Sequence, residues 1–199
     1  MPTAFSDLPA QVDPPRKLWT RSEYEELYSC GLMAGQRLEL IEGELIDQMG
    51  KKRPHGNSLR LLHRWLVGVF GWPLVGQEES IDVAPQDNAS SEPEPDLIVA
   101  KRDLSTFQSE NPRPEDLQLV IEVSDSTLGF DLNRKAALYA RAGIIEYWVL
   151  DVTGRRMIVH RDPQAGRYAS VAAYALEESV APLGAPQSYL RIAEAFPES

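Results

Sequence analysis

Residues 117–151 read LQLVIEVSDSTLGFDLNRKAALYARAGIIEYWVLD, and this stretch decides the fold class. Residues 117–124 and 144–151 are rich in β-branched and aromatic side chains, which indicates two buried strands. Residues 132–142 form a helical pattern that Gly143 ends. A strand, a helix and a strand at this spacing form a parallel crossover, so both strands should lie in one sheet with the helix on its face. The sequence therefore predicts an α/β fold.

One carboxylate interrupts each of two apolar runs. Glu122 lies inside the first strand of the crossover, and Asp96 opens a short apolar run that a preceding proline keeps out of a helix. A carboxylate among apolar side chains needs a second acid, a lysine or a cation nearby. Lys135 can supply that partner because Asp131, Lys135 and Tyr139 are spaced by four and share one helix face.

Two carboxylates, a backbone carbonyl and a lysine suit a particular chemistry. Mg²⁺ prefers oxygen ligands, and phosphodiester hydrolysis needs a cation near phosphorus and a hydroxide at neutral pH. Asp96 and Glu122 would bind the metal, and Lys135 would orient water or stabilise the pentavalent state. On the residues alone, a second interpretation stays open: Glu122 pairs with Lys135 or Arg134 as a structural ion pair, and no metal binds.

Length and composition favour a single soluble domain. A chain of 199 residues with 43% apolar content can bury a sizeable core. Residues 1–16 contain four prolines and few apolar side chains, so we expect a flexible lead-in and one domain over 17–199. The chain has no signal region and no apolar run near the ~20 residues that span a membrane, which predicts a cytoplasmic protein. The single cysteine, Cys30, excludes an internal disulfide.

The acidic composition limits the choice of partners. A net charge of −10 opposes broad electrostatic capture of a polyanion, so binding of nucleic acid would need a local basic patch or a bound metal. The only compact basic run is Lys51-Lys52-Arg53, just before His55.

The remaining segments form regular elements. Thr20-Arg21-Ser22-Glu23 predicts a capped helix that Gly31 ends, and residues 37–47 alternate around Gly43 as in a hairpin with one wet face. Glutamates 39, 42 and 44 are therefore expected mainly in solvent. Residues 56–70 predict an amphipathic helix, residues 79–83 a strand, and residues 189–196 a terminal segment that docks on the core.

An ordered series of motifs resembles the family described as putative restriction endonucleases, which belongs to the PD-(D/E)XK nuclease superfamily. The series covers roughly residues 20–165 and comprises residues 37–45, His55-Gly56, Pro95-Asp96, residues 122–127, Asp131, Lys135, Tyr139, Gly143 and residues 146–148. The resemblance implies a restriction-endonuclease-like core of mixed α/β (α+β) type. Such a core has a mixed sheet flanked by helices, here with an N-terminal helix and hairpin.

The resemblance also implies a site. Asp96 and Glu122 would bind Mg²⁺ or Mn²⁺, with the backbone carbonyl of Val123 as a third ligand. The superfamily pattern places a lysine two residues after the second acid, but this chain has Ser124 there, so Lys135 would supply the amine from the next helix. Glu44, as an early-chain acid, and His55, near phosphate or metal-bound water, are further candidate catalytic residues.

Three functions are compatible with these observations. The leading hypothesis is a metal-dependent endonuclease acting on nucleic acid, with DNA as the expected substrate and a homodimer as a possible assembly by analogy. The second is a catalytically silent nuclease-fold module for binding or assembly, which the displaced lysine and the acidic charge motivate. The third is a hydrolase of a small phosphorylated substrate, for which net acidity is no obstacle.

Overall fold

The computed structural model describes residues 15–48 and 53–197. The helices are α1 (Arg21–Ser29), α2 (Arg53–Phe70), α3 (Pro85–Asn88), α4 (Leu128–Phe130) and α5 (Ala136–Arg141). The strands are β1 (Leu38–Ile41), β2 (Glu44–Asp47), β3 (Val75–Gln77), β4 (Leu97–Ala100), β5 (Leu117–Ser124), β6 (Glu146–Asp151), β7 (Arg156–Gln164), β8 (Arg167–Ala175), β9 (Ser179–Val180) and β10 (Leu190–Arg191).

A six-stranded sheet in the order β3-β4-β5-β6-β7-β8 forms the centre of the molecule. The pair β5 and β6 is parallel and the other pairs are antiparallel, so the predicted crossover and the mixed sheet are both confirmed. One face packs against α2 and the C-terminal segment, where Leu62, Leu66 and Trp148 are fully buried. The other face packs against α5, through Leu138 and Tyr147. Because both faces are covered, the central strands are apolar on both sides.

The N-terminal helix and hairpin form as predicted. The Thr20 hydroxyl accepts from the Glu23 backbone N–H, and the Glu23 carboxylate accepts from the Thr20 backbone N–H, which closes the capping box of α1. The hairpin of β1 and β2 turns at Glu42 and Gly43, both with positive φ. At Gly43 a side chain would also meet Leu18, with a Cβ only 2.8 Å from the Leu18 Cβ, so this turn requires glycine.

Three predicted boundaries are wrong or untested. Residues 79–83 do not form a strand: Ile81 and Asp82 donate backbone hydrogen bonds to carbonyls of loop residues Pro93 and Pro112, and the strand of this region is β3. Helix α2 begins at residue 53 instead of 56, because a proline is tolerated in the first turn. The predicted lead-in, residues 1–16, lies outside the described residues except for 15 and 16. The predicted terminal segment does dock, as β10 and a 3₁₀ turn, Ile192–Ala195.

The crossover helix differs from its prediction in one useful way. It starts at Leu128, four residues early, and contains a π turn, Asp131–Lys135, between α4 and α5. Such wide turns are found often at functional sites, because the extra residue changes the direction of the side chains. Both Asp131 and Lys135 are buried here. Among the described residues, no helix is both long and apolar enough to cross a membrane.

Candidate active site

Four elements bring polar side chains to one end of the central sheet. Strand β5 ends there with Glu122 and Val123, and the antiparallel β4 begins there, directly after Asp96. Helix α2 contributes His55 from its first turn, and the π turn contributes Lys135. The antiparallel pairing of β4 and β5 explains why two acids far apart in sequence become neighbours, since the start of one strand lies beside the end of the other.

Lys135 is the centre of a buried charge cluster. Its Nζ lies 2.8 Å from Glu122 Oε1 and 2.8 Å from Glu39 Oε1. The Tyr139 hydroxyl donates to the same Glu122 Oε1 at 3.0 Å, which fulfils the predicted shared face of Lys135 and Tyr139. The second oxygen of Glu39 accepts from the Glu94 backbone N–H at 3.2 Å. The lysine therefore joins the hairpin, the central strand and the helix.

Asp96 is held by groups on both sides. Its Oδ2 accepts a hydrogen bond of 2.8 Å from the Val123 backbone N–H and lies 3.3 Å from His55 Nε2. The His55 Nδ1 is buried and has no hydrogen-bond partner among the described residues. The backbone contact holds the Asp96 carboxylate against Val123, the residue that follows Glu122.

Burial and crowding of negative charge shift the pKa values of the cluster. Burial raises the pKa of Glu122, the charge of Lys135 opposes this, and Asp96, Asp131 and Glu39 raise it again, so that the pKa lies at about 8. Burial alone would lower the pKa of Lys135, but its carboxylate neighbours more than offset this, so the pKa is raised. Lys135 is thus an ammonium at neutral pH and acts as a charge and a donor, not as a base.

Asp131 adds a fourth buried carboxylate. It accepts from the Thr127 hydroxyl at 2.7 Å, and its pKa is raised, chiefly by burial. Glu39, Asp96, Glu122 and Asp131 are each at most 4% exposed, and they line one cavity together with Lys135. Four buried carboxylates thus surround a single buried lysine.

The donor set of this cavity fits a hard divalent cation. The volume of the cavity is about 100 Å³, enough for about three waters at ~30 Å³ each. The described residues include no group of three or more His, Cys, Asp or Glu side chains that could hold a metal ion. Mg²⁺ does not need such a group, because it takes one or two carboxylates and keeps several waters. The surplus of buried negative charge is the feature that a bound cation would neutralise.

Most of the predicted site residues lie in the cavity, and one does not. Asp96, Glu122, Val123, Lys135 and His55 all line the cavity. Glu44 does not: its side chain is 41% exposed and forms an ion pair with Arg134. Arg134 therefore pairs with the hairpin and not with Glu122, in contrast to one of the two ion pairs considered above.

Sequence reasoning missed Glu39, which was expected in solvent but is 2% exposed. Its strand is buried on both faces: Leu38 and Leu40 pack against Tyr24 of α1, and Ile41 packs in the cluster of α5. The alternation of charged and apolar side chains correctly placed Glu39 on the face of β1 opposite to Leu38 and Leu40. It did not show that this second face is also covered. No local sequence signal marks Glu39, because its burial comes from contacts of the hairpin with α1 and with the helix that carries Lys135.

A family model described as "Uma2: Putative restriction endonuclease" matches residues 21–193. The chain belongs to the Uma2 family. The predicted resemblance is therefore confirmed over most of the chain. Among curated proteins, no match of significance is found. The Uma2 fold seen here is similar to a crystal structure of a putative nuclease belonging to DUF820 from Anabaena variabilis ATCC 29413, with a TM-score of 0.63 and 16% identity over 81% of this chain and 90% of the other. At that identity, the likeness shows a shared fold.

Proposed function

We propose that this Uma2 protein is a nuclease that hydrolyses phosphodiester bonds with the help of Mg²⁺ or Mn²⁺, and that DNA is its substrate. The observation that supports the proposal most directly is the excess of buried carboxylates around one lysine at the end of the central sheet. A structural ion pair needs one acid for one lysine, and additional buried acids cost stability unless something compensates them. Retention of such acids in a cavity favours a cation-binding role.

Asp96, Glu122 and the Val123 carbonyl would hold the metal. The Val123 N–H bond to Asp96 keeps the carbonyl-bearing residue and the carboxylate in a fixed relation. When bound, the metal supplies charge neutralisation at the phosphate and a water of lowered pKa. Loss of a proton from Glu122, whose pKa is about 8 without metal, would accompany binding.

Lys135 has two tasks in this proposal. As an ammonium 2.8 Å from Glu122, it orients that carboxylate, and it supplies positive charge where negative charge grows on phosphorus. Glu39 positions Lys135 from the other side. His55 is placed 3.3 Å from Asp96, where it can hold that carboxylate or approach a phosphate oxygen. Glu44, fixed on Arg134, takes no part in the proposed chemistry.

The test is a cleavage assay with the purified protein. We expect supercoiled DNA to be nicked in the presence of Mn²⁺ or Mg²⁺ and to stay intact in EDTA, because the carboxylates alone offer no cation to the phosphate. Single-stranded DNA and a structured RNA run in parallel identify the preferred polymer. Cleavage that persists in EDTA would contradict metal dependence, and turnover of a small phosphodiester without polymer cleavage would favour the small-substrate hydrolase.

We also propose that the protein forms a homodimer in which two copies of the chain pair through β8. This strand ends the sheet, and among the described residues only β7 pairs with it. Residues 168–175 contain no charge and no proline, the usual protections of an exposed edge, and Val171 is 57% exposed. An antiparallel edge is self-complementary, and pairing about a two-fold axis would bring Arg167 of each copy near Glu177 and Glu178 of the other.

Light scattering after size exclusion tests this pairing. Val171→Lys would place two like charges opposite each other at the centre of the joined edges, so we expect a dimer for the unmodified protein and a monomer for this variant. Leu183→Lys is the matched control, because Leu183 is also exposed, at 47%, and lies outside β8. A monomer before mutation, or a Val171→Lys dimer, would contradict the β8 interface.

A further inference from the structure

Helix α2 presents a row of basic side chains to solvent. The basic side chains are Arg53, Arg60 and Arg64, all of them exposed. With the exposed Asn57 between the first two, they follow a spacing of four, three and four residues, which places them on one face. The opposite face is apolar and packs on the sheet through residues such as Leu62. From Arg53 to Arg64 the row extends about 16 Å, at ~1.5 Å per residue. Arg53, Arg60 and Arg64 together form the α2 row.

The arginines of the α2 row have no ion-pair partner within residues 15–48 and 53–197. Elsewhere in the same part of the chain, most arginines are paired with carboxylates; Arg21, Arg37, Arg134, Arg141 and Arg161 are examples. Helix α2 itself contains no Asp or Glu from residue 53 to residue 70. In a protein with a net charge of −10, three uncompensated arginines on one helix face are a local exception. They form a surface that would attract an anion with repeated charges.

The α2 row starts beside the candidate active site. Arg53 lies two residues before His55, whose Nε2 is 3.3 Å from Asp96. From that point the row leads away along the helix to Trp72, which is 69% exposed and has an edge contact with His63, with ring centroids 5.6 Å apart. A large aromatic ring exposed to this degree is available for stacking on a base.

We propose that the α2 row binds the phosphates of single-stranded DNA and directs the strand into the cavity, while Trp72 stacks on an unpaired base at the far end. This inference rests on the proposed nuclease function and names the form of its substrate. Positive charge along the backbone path and an exposed aromatic ring are the two features by which proteins bind single strands without reading sequence.

Fluorescence anisotropy with a labelled 30-nucleotide single strand tests the α2 row. The titrations are made in EDTA, where the proposed cleavage cannot occur, at several NaCl concentrations between about 50 and 200 mM. For Arg53→Gln/Arg60→Gln/Arg64→Gln, we expect at least tenfold weaker binding and a salt dependence whose slope is lower by about two, at ~0.7 per lost phosphate contact.

A second triple variant controls for net charge. Arg16, Lys101 and Arg155 are also exposed and also lack an ion pair with the described residues, but they lie outside α2 and β8. Arg16→Gln/Lys101→Gln/Arg155→Gln removes the same three charges, and we expect less than about threefold weaker binding with an unchanged slope. Equal losses in the two triple variants would show that overall charge, and not the α2 row, controls binding. An unchanged affinity in the first variant would equally overturn the inference.

Trp72→Ala tests the stacking part separately. We expect about tenfold weaker binding to the single strand, an unchanged salt slope, and partial recovery in Trp72→Phe. Tighter binding to duplex than to the single strand, with no effect of Trp72→Ala, would overturn the assignment to single strands. Binding is measured without metal, so the two proposals can fail separately. If the protein binds DNA through the α2 row but does not cut it, the proposed nuclease activity is refuted and the binding inference stands.

Discussion

Asp96→Asn should abolish metal-dependent cleavage of DNA while the fold stays intact. Asparagine keeps an oxygen that can accept the Val123 N–H bond of 2.8 Å, so the local backbone contact survives. It removes the charge that a divalent cation would require. Because a bound metal contributes several kcal/mol to stabilising the transition state, we expect a loss of at least about 10³-fold in kcat/KM.

The same variant allows a measurement that does not depend on catalysis. Without metal, its melting temperature should equal or exceed that of the unmodified protein, since a buried carboxylate among three other buried acids is replaced by a neutral amide. Addition of Mn²⁺ should raise the melting temperature of the unmodified protein and leave that of Asp96→Asn unchanged, because a ligand stabilises only the state that binds it.

The control for Asp96→Asn is Asp162→Asn. Asp162 is exposed and lies on β7, which is antiparallel to β6, so it is near the end of the sheet opposite to the cavity. We expect normal cleavage and a normal response to Mn²⁺ from this variant. Cleavage by Asp96→Asn at an undiminished rate would remove Asp96 from the proposed site, and an equal Mn²⁺ shift in both variants would place the metal elsewhere.

Much of this architecture could be predicted because strong local patterns carry it. The two strands of the crossover are apolar on both faces, and the four-residue spacing of Lys135 and Tyr139 fixed their common face before any contact was known. Both side chains do contact Glu122 Oε1. The acids within buried strands could also be identified as site residues from the sequence, because an isolated buried charge is costly and therefore implies a partner.

The failures have a common cause, which is that tertiary contacts decide the outcome. Residues 79–83 have apolar side chains that are buried, yet their backbone groups bond to loops and form no ladder. Glu39 and Glu44 are neighbours in one hairpin with similar sequence surroundings, but Glu39 pairs with the buried Lys135 whereas Glu44 pairs with the partly exposed Arg134. The π turn that directs Lys135 inward has no local sequence signal, since it depends on packing against the sheet.

Lys135→Met should cost both stability and activity. The ammonium lies between Glu39 and Glu122, each 2.8 Å away, and all three side chains are at most 4% exposed. Removing the single cation leaves buried acids without compensation, a change that costs about 3–5 kcal/mol. For a domain of this size, we expect a melting temperature lower by about 6–20 °C. Lys101→Met, at an exposed lysine that contacts only a backbone carbonyl, should have little effect.

A second substitution separates the structural role of Lys135 from its chemical role. In Glu39→Gln/Lys135→Met the cluster loses one charge of each sign, and Glu122, whose pKa is about 8 even beside Lys135, stays protonated at neutral pH. We therefore expect the double variant to regain at least about half of the lost stability, a coupling that a double-mutant cycle measures directly. Its cleavage activity should stay at background, because no ammonium stabilises charge at the phosphate. If cleavage returned together with stability, Lys135 would be a structural ion-pair partner only, and the chemistry would need another source of positive charge.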